Sequence, residues 1–284
     1  MAFEGHGPAQ VVEGRVGAVV VAAGESRRMA GIDKVLVPLL GRPLIAYTVQ
    51  VLEEHPAVQE VVLVVARSKV SAVRSLVAAQ GWRKITHVCP GGRRRQDSVW
   101  SGLERLGPCQ WVLVHDGARP CLDLAIIDRG LEAVTRVGAA VAAVPIKDTA
   151  KVVSSEGLVE STLPRDSLWG AQTPQFFRAD LLIDAHRRCS EDVTDDAAMV
   201  EKAGHPVAVF MGCYENLKVT TPEDLTVAEA ILRKRREGTG CVCRRGGSVS
   251  GSMSIPWWWG VFWSSGGCRC LSPGAWQVTA TATY

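Results

Sequence analysis

Three cations close to a run of small residues are the first chemistry this chain offers. Ala22-Ala23-Gly24 closes an apolar β-branched run, Arg27 and Arg28 follow within a few positions, and Lys34 stands just before the next apolar stretch. Small residues at a strand end let an anion come close to backbone N–H groups. Fixed guanidinium and ammonium groups on the same loop suit a triphosphate far better than a neutral ligand. The Gly-x-Gly-x-x-Gly spacing of dinucleotide sites and the Gly-Lys-Ser/Thr of P-loops are both absent, which argues against a nicotinamide oxidoreductase. A turn that only joins two elements is the competing reading of Ala22–Gly24.

Further clusters share this character. Gly91-Gly92-Arg93-Arg94-Arg95-Gln96-Asp97-Ser98 follows a strand-like run and opens a helix. Its glycines permit close backbone approach by a nucleotide, and Ser98 is placed to reach a base or ribose; an ordinary capped helix start is the alternative. His115-Asp116-Gly117-Ala118-Arg119-Pro120 ends another strand. There Asp116 suits a metal or a sugar hydroxyl and Arg119 a phosphate, against the alternative of a surface ion pair. Thr149 lies at the root of a polar hairpin and Arg165 at its return, just before Leu168-Trp169-Gly170-Ala171-Gln172-Thr173-Pro174-Gln175. Lys218 falls in a short predicted strand ahead of the helix start Thr221-Pro222-Glu223-Asp224. Proline at the first turn explains the helix start but not the lysine.

The elements that must position these residues alternate. Val16–Ala22, Val58–Ala66, Ile85–Cys89, Gln110–His115 and Ala139–Val144 are short, mostly continuous apolar runs, as expected of strands buried on both faces. Helix-like segments lie between them at Leu44–Glu54, Ser68–Gln80, Arg95–Leu106 and Asp123–Arg136. The alternation predicts an α/β fold with right-handed crossovers and an open, mainly parallel sheet, whose ligands sit beyond the carboxyl ends of the strands. Ile146–Leu163 breaks the rhythm with alternating Val and Ser/Thr around Ser155-Glu156-Gly157 and predicts a projecting two-stranded arm. A lone arm of that size is marginal and implies a partner surface.

Composition narrows the partners. With 47% apolar residues the 284-residue chain has ample core, and a net charge of +3 is too small to make nucleic acid the main partner. No run reaches the ~18 apolar residues needed to span a bilayer, and the N-terminus carries no hydrophobic signal segment. Cys89, Cys109, Cys121, Cys189 and Cys213 are scattered singly, which reads as reduced thiols in a cytoplasmic protein. Residues 1–14 read as an N-terminal extension and 15–236 as the globular body. Residues 237–284 are a Gly/Ser/Trp/Cys-rich tail with neither helical nor strand period, read as disordered ahead of a Cys-x-Cys metal site or a Trp-rich interfacial patch.

The ordered set AAGESRRM, DKVLVPL, GGRRRQDSV, HDGARP, PIKDTAK, LWGAQTPQ, TDDA and NLKVTTPEDL closely resembles the 2-C-methyl-D-erythritol 4-phosphate cytidylyltransferases of the non-mevalonate isoprenoid pathway, over about residues 15 to 236. The resemblance implies a Rossmann-like nucleotidyltransferase fold, a homodimer through the arm at 146–165, and CTP, a polyol phosphate and Mg2+ as ligands. It implies that Arg28 and Lys34 stabilise the transition state and that Ala22, Ala23, Gly24, Gly91 and Ser98 hold CTP. Asp116, Arg119, Thr149 and Lys218 then face the sugar phosphate, Arg165 and Thr173 reach it from the partner subunit's side, and Lys218 and Arg165 orient the attacking phosphate. Asp116 is the candidate Mg2+ ligand. Gly31-Ile32-Asp33 before Lys34 is shorter than the stretch in many members, and Arg93 stands where some carry an acidic residue, so the CTP contacts there are open. Ribitol-5-phosphate cytidylyltransferase and a non-catalytic nucleotide-binding protein of the same fold are the competing readings. Retention of Lys34 and Arg28 speaks against the latter.

Overall fold

The computed structural model describes residues 14–24 and 34–237. The N-terminal extension through residue 13, the loop carrying Arg27 and Arg28, and the tail from 238 onward lie outside the described residues, and so does the role expected of Arg28.

In chain order the elements are β1 (Val16–Ala22), β2 (Pro38–Leu39), β3 (Arg42–Pro43), α1 (Leu44–Glu54), β4 (Val58–Val65), α2 (Val70–Gln80), β5 (Ile85–Pro90), α3 (Arg95–Leu103), β6 (Trp111–Asp116), α4 (Leu124–Val137) and β7 (Ala139–Pro145). There follow β8 (Lys151–Val153), β9 (Val159–Thr162), β10 (Trp169–Arg178), α5 (Ala179–Arg188), α6 (Asp196–Lys202), β11 (Ala208–Met211) and α7 (Pro222–Arg236). Seven strands form one sheet in the order β11-β7-β10-β6-β1-β4-β5. All its pairings are parallel except those of β10, which runs antiparallel between β6 and β7.

The continuous apolar runs of the central strands are explained by two cores, one on each face of the sheet. Ala18, Val20 and Ala22 of β1 pack with Leu63 and Leu113 beneath α1, α2 and α4, using Ile45, Val49, Val73, Ile127 and Val134. Val19, Val62, Val64, Val112 and Val114 face the other way, toward Val99 and Leu103 of α3, Leu182 of α5 and Val200 of α6. Period-two alternation thus delivers apolar residues to both faces. A third cluster, Leu39, Leu44, Tyr47, Val219, Ala228 and Leu232, fastens α7 to α1.

The structure refines several boundaries. The segment predicted as a helix from Ser68 begins with a 3-10 turn at Arg67–Lys69 before α2, and the helix from Arg95 stops at Leu103. The predicted arm is present as the β8–β9 hairpin. The short strand expected around Lys218 is not formed: residues 216–220 run as an extended segment with one ladder-like bond, Val219 N–H to Ala118 O at 2.8 Å. Side chains rather than a strand ladder hold that segment.

Candidate active site

Four parallel strands bring their carboxyl ends to one edge. Val21 lies beside Asp116 in the β1–β6 pairing, Ala22 beside Val65 in β1–β4, and Val65 beside Pro90 in β4–β5. The residues after these strands therefore meet. The Gly91 N–H donates to Val65 O and the Gly117 N–H to Val21 O, both at 2.9 Å. A Cβ on Gly91 would collide with Ala23 Cβ and lie 2.6 Å from Ser98 Oγ, and one on Gly117 would sit 2.9 Å from Ala22 Cβ. The small residues are required by this close approach, which leaves backbone rather than side chain facing the edge.

Asp116 is the charge centre of the edge. Lys218 Nζ is 2.8 Å and Arg119 Nε 3.5 Å from its Oδ2, while Arg95 Nε is 3.4 Å from its Oδ1. Burial alone would raise its carboxyl, but Arg95, Lys218 and Arg119 outweigh burial and hold it well below the usual carboxylate range. The Asp116 N–H donates to Thr173 Oγ1 at 3.0 Å, which ties the end of β6 to β10. Behind Asp116, Arg95 Nη1 donates to Asp196 Oδ2 at 2.5 Å.

The extended segment carrying Lys218 is anchored by a buried polar network. Arg119 Nη1 donates to Asn216 O at 2.7 Å. Asn216 Nδ2 donates in turn to Thr173 O at 2.8 Å and to Gln172 Oε1 at 3.2 Å. Three cations, Arg95, Arg119 and Lys218, stand against the two carboxylates Asp116 and Asp196, so the cluster carries excess positive charge. Arg119 Nε is buried without a hydrogen-bond partner, and the Lys218 side chain is 39% exposed. Such a cluster is suited to an anion arriving from solvent, with Asp116 available to accept from a neighbouring hydroxyl.

A family model of 2-C-methyl-D-erythritol 4-phosphate cytidylyltransferase matches residues 16–234. The chain belongs to this family. The cytidylyltransferase of that name from Dehalococcoides mccartyi is 52% identical over 222 residues, which span 78% of this chain and 98% of that protein. Among solved structures, a 4-diphosphocytidyl-2C-methyl-D-erythritol synthase from Anaerococcus prevotii superposes with a TM-score of 0.69 at 27% identity, covering 77% of this chain and 98% of that one. The Thermus thermophilus cytidylyltransferase superposes at 0.61 with 32% identity, covering 76% and 98%.

The cytidylyltransferase chain brings most of the expected site residues together, though not all in the expected manner. Ala22, Ala23, Gly24 and Gly91 share the strand-end edge. Ser98 is buried there, but its hydroxyl accepts from Gly92 N–H at 3.2 Å and donates to Arg94 O at 3.1 Å, so it braces the glycine loop. Arg94 and Asp97 form the capping arrangement of α3, Asp97 Oδ2 accepting from Arg94 N–H at 3.0 Å, which realises the helix-start alternative for that motif. Thr173 is buried beside Asp116. Lys34 is half-buried in the turn that leads into β2. Thr149 and Arg165 are exposed at the arm; the Arg165 Nη1 donates to Lys147 O at 3.3 Å, and no hydrogen bond or ion pair links either residue to the Asp116 cluster.

For Asp116 as a Mg2+ ligand the surroundings are a poor fit. Both its oxygens already face cations, and adding a divalent ion would set it against three positive side chains at 2.8 to 3.5 Å. Among the described residues no group of three His, Cys, Asp or Glu side chains is disposed to hold a metal. Residue-by-residue reading missed Arg95, Asp196 and Asn216 as members of the site. All three stand in the motifs GGRRRQDSV, TDDA and NLKVTTPEDL, but only their meeting in space shows which of three arginines and which of two aspartates belong to the Asp116 cluster.

Proposed function

We propose that this chain transfers CMP from CTP to 2-C-methyl-D-erythritol 4-phosphate, releasing pyrophosphate and forming 4-diphosphocytidyl-2-C-methyl-D-erythritol, a step of isoprenoid precursor synthesis. The observation that carries this reading is the excess positive charge around Asp116, one strand away from the bare backbone of Ala22–Gly24, against which Gly91 packs. The nucleotide phosphates occupy that backbone edge, with Arg28 and Lys34 as the loop cations. The polyol phosphate sits at Lys218 and Arg119, its hydroxyls facing Asp116 and Thr173. Its phosphate is already an anion near neutral pH, so attack on the α-phosphorus needs no strong general base. The requirement is to bring two anions together in line, which positioned cations meet. Mg2+ is assigned no protein ligand and no step.

A homodimer through the arm at 146–165 completes the proposal, bringing Thr149 and Arg165 of one protomer toward the sugar phosphate of the other. The exposed apolar side chains Val153, Leu158 and Val159 of the arm support it. A cytoplasmic setting accords with the free thiols of Cys89, Cys109, Cys121, Cys189 and Cys213. No helix of the described residues is long and apolar enough to cross a membrane.

The test is a coupled assay of pyrophosphate release with CTP and, separately, the methylerythritol and ribitol phosphates. Turnover with the first, at a kcat/KM well above that with the second, is expected. Lys218→Gln should raise the KM for the polyol phosphate about tenfold or more while leaving that for CTP within a factor of about two, the scale of a lost charge-assisted contact. Preference for ribitol phosphate, or no pyrophosphate with either, would overturn the assignment.

A further inference from the structure

The half-buried Arg95 and the buried Asp196 form a pair directly behind Asp116, and the transfer reaction described above gives neither of them a part. Asp196 opens α6 and is fully buried. Its Oδ2 accepts from Arg95 Nη1 at 2.5 Å, while its Oδ1 has no hydrogen-bond partner and His186 Nε2 stands 3.8 Å away. A carboxylate taken out of water in this way is strongly disfavoured unless a cation answers it, so Arg95 is committed to it. The same guanidinium presents Nε to Asp116 Oδ1 at 3.4 Å, whereas Lys218 and Arg119 stand at 2.8 and 3.5 Å from Oδ2.

Asp196 is itself fixed from the sheet. Asp195 caps α6 by accepting from Ala198 N–H at 2.9 Å. Gln175 of β10 donates to Asp195 Oδ2 at 2.8 Å and accepts from Ala197 N–H at 3.1 Å. The start of α6 is thus pinned to the strand that also carries Thr173, two residues away. Arg95 stands between two carboxylates whose positions are both set by β10.

A phosphate arriving at the site competes with Asp116 for its cations. Lys218 and Arg119 share one oxygen of Asp116 and are the two that reach toward the anion. Arg95 would be drawn off as well if nothing held it. We infer that Asp196 is a positioning residue of the polyol-phosphate subsite: it retains the Arg95 guanidinium on Asp116 Oδ1, so that this carboxylate keeps a counter-cation and its orientation while Lys218 and Arg119 engage the substrate phosphate. The inference rests on the placement of the polyol phosphate at Lys218 and Arg119, and the test separates the two.

Steady-state kinetics of the full chain in both substrates, with Asp196→Asn, Asp196→Glu, Arg95→Lys and Lys218→Gln, provides that test. Asp196→Asn should raise the KM for methylerythritol phosphate about tenfold and leave the KM for CTP within about twofold. Asp196→Glu, which restores the charge, should recover most of the loss. Arg95→Lys keeps its charge but cannot span two carboxylates, and should reproduce the split; it carries the test if Asp196→Asn does not fold. A purely structural role predicts lower kcat and Tm with neither KM moved, and that result overturns the inference. If Lys218→Gln raises the polyol-phosphate KM while Asp196→Asn and Arg95→Lys do not, the inference fails alone. If Lys218→Gln leaves that KM unchanged, the placement of the substrate fails with it.

Discussion

At the end of β6 the chain buries His115 completely, next to a carboxylate and two cations. Burial pushes the imidazole down to about 3; Asp116 opposes the shift and Arg119 and Lys218 add to it. Neither ring nitrogen makes a hydrogen bond of good geometry, the Arg119 backbone being only a marginal neighbour. The ring is therefore neutral in the fold. Between its ordinary value of 6.5 and about 3 the unfolded chain holds a proton that the folded chain lacks. Its contribution to stability is complete above 6.5 and is lost as the pH falls, at about 1.4 kcal/mol per pH unit, or roughly 2 kcal/mol by pH 5. His55 and His186 are likewise lowered by burial and act in the same direction. Urea unfolding between pH 7.5 and 5 should show stability falling with acidity, and His115→Asn should flatten the slope by about one proton. An unchanged slope would mean that the imidazole is protonated in the fold.

The loop from β5 to α3 illustrates how an element's packing and its ligand surface coincide. Gly91 donates to β4 through its N–H and abuts Ala23 after β1, while Ser98 from the first turns of α3 closes over it. A methyl group there must displace either the β1 loop or the helix start. Gly91→Ala should cost about 1–3 kcal/mol of stability, the usual price of overpacking, and should raise the KM for CTP more than that for the polyol phosphate. Chemical unfolding and substrate titrations read the two effects separately. A variant with normal CTP affinity would remove this loop from the nucleotide site.

For the whole molecule, the arm is the feature the protomer alone does not justify. Two short strands, β8 and β9, hold only each other, and Leu158 and Val159 are 64% and 60% exposed. An isolated ribbon of this kind is marginal in water, so a second surface should cover it. Sedimentation of the full chain should give a dimer, and the double variant Val153→Glu/Val159→Glu a monomer. The monomer should also bind methylerythritol phosphate more weakly, because Thr149 and Arg165 sit at the arm's root and are proposed to act across the interface. A wild-type monomer with full activity would rule this out.

The sequence alone determined the elements whose burial is written in their own residues. β1 and α1 have the bounds their apolar patterns predict, and the central parallel strands read as continuous Val-rich runs because helices cover both faces. It also located the strand-end motifs, since small residues and charges at such ends break the apolar pattern visibly. It did not reveal β10, whose inner residues Gln172, Thr173 and Gln175 are buried and polar and whose run contains Pro174. Those side chains are satisfied by Cys213, Asp116, Asp195 and Ala197, partners that the local pattern does not name. Nor could it choose Arg95 from three consecutive arginines, because the carboxylate that selects it, Asp196, lies 101 positions away. Apolar burial is encoded by period and can be read locally, whereas the partner of a buried charge is fixed only when distant strands and helices close around it.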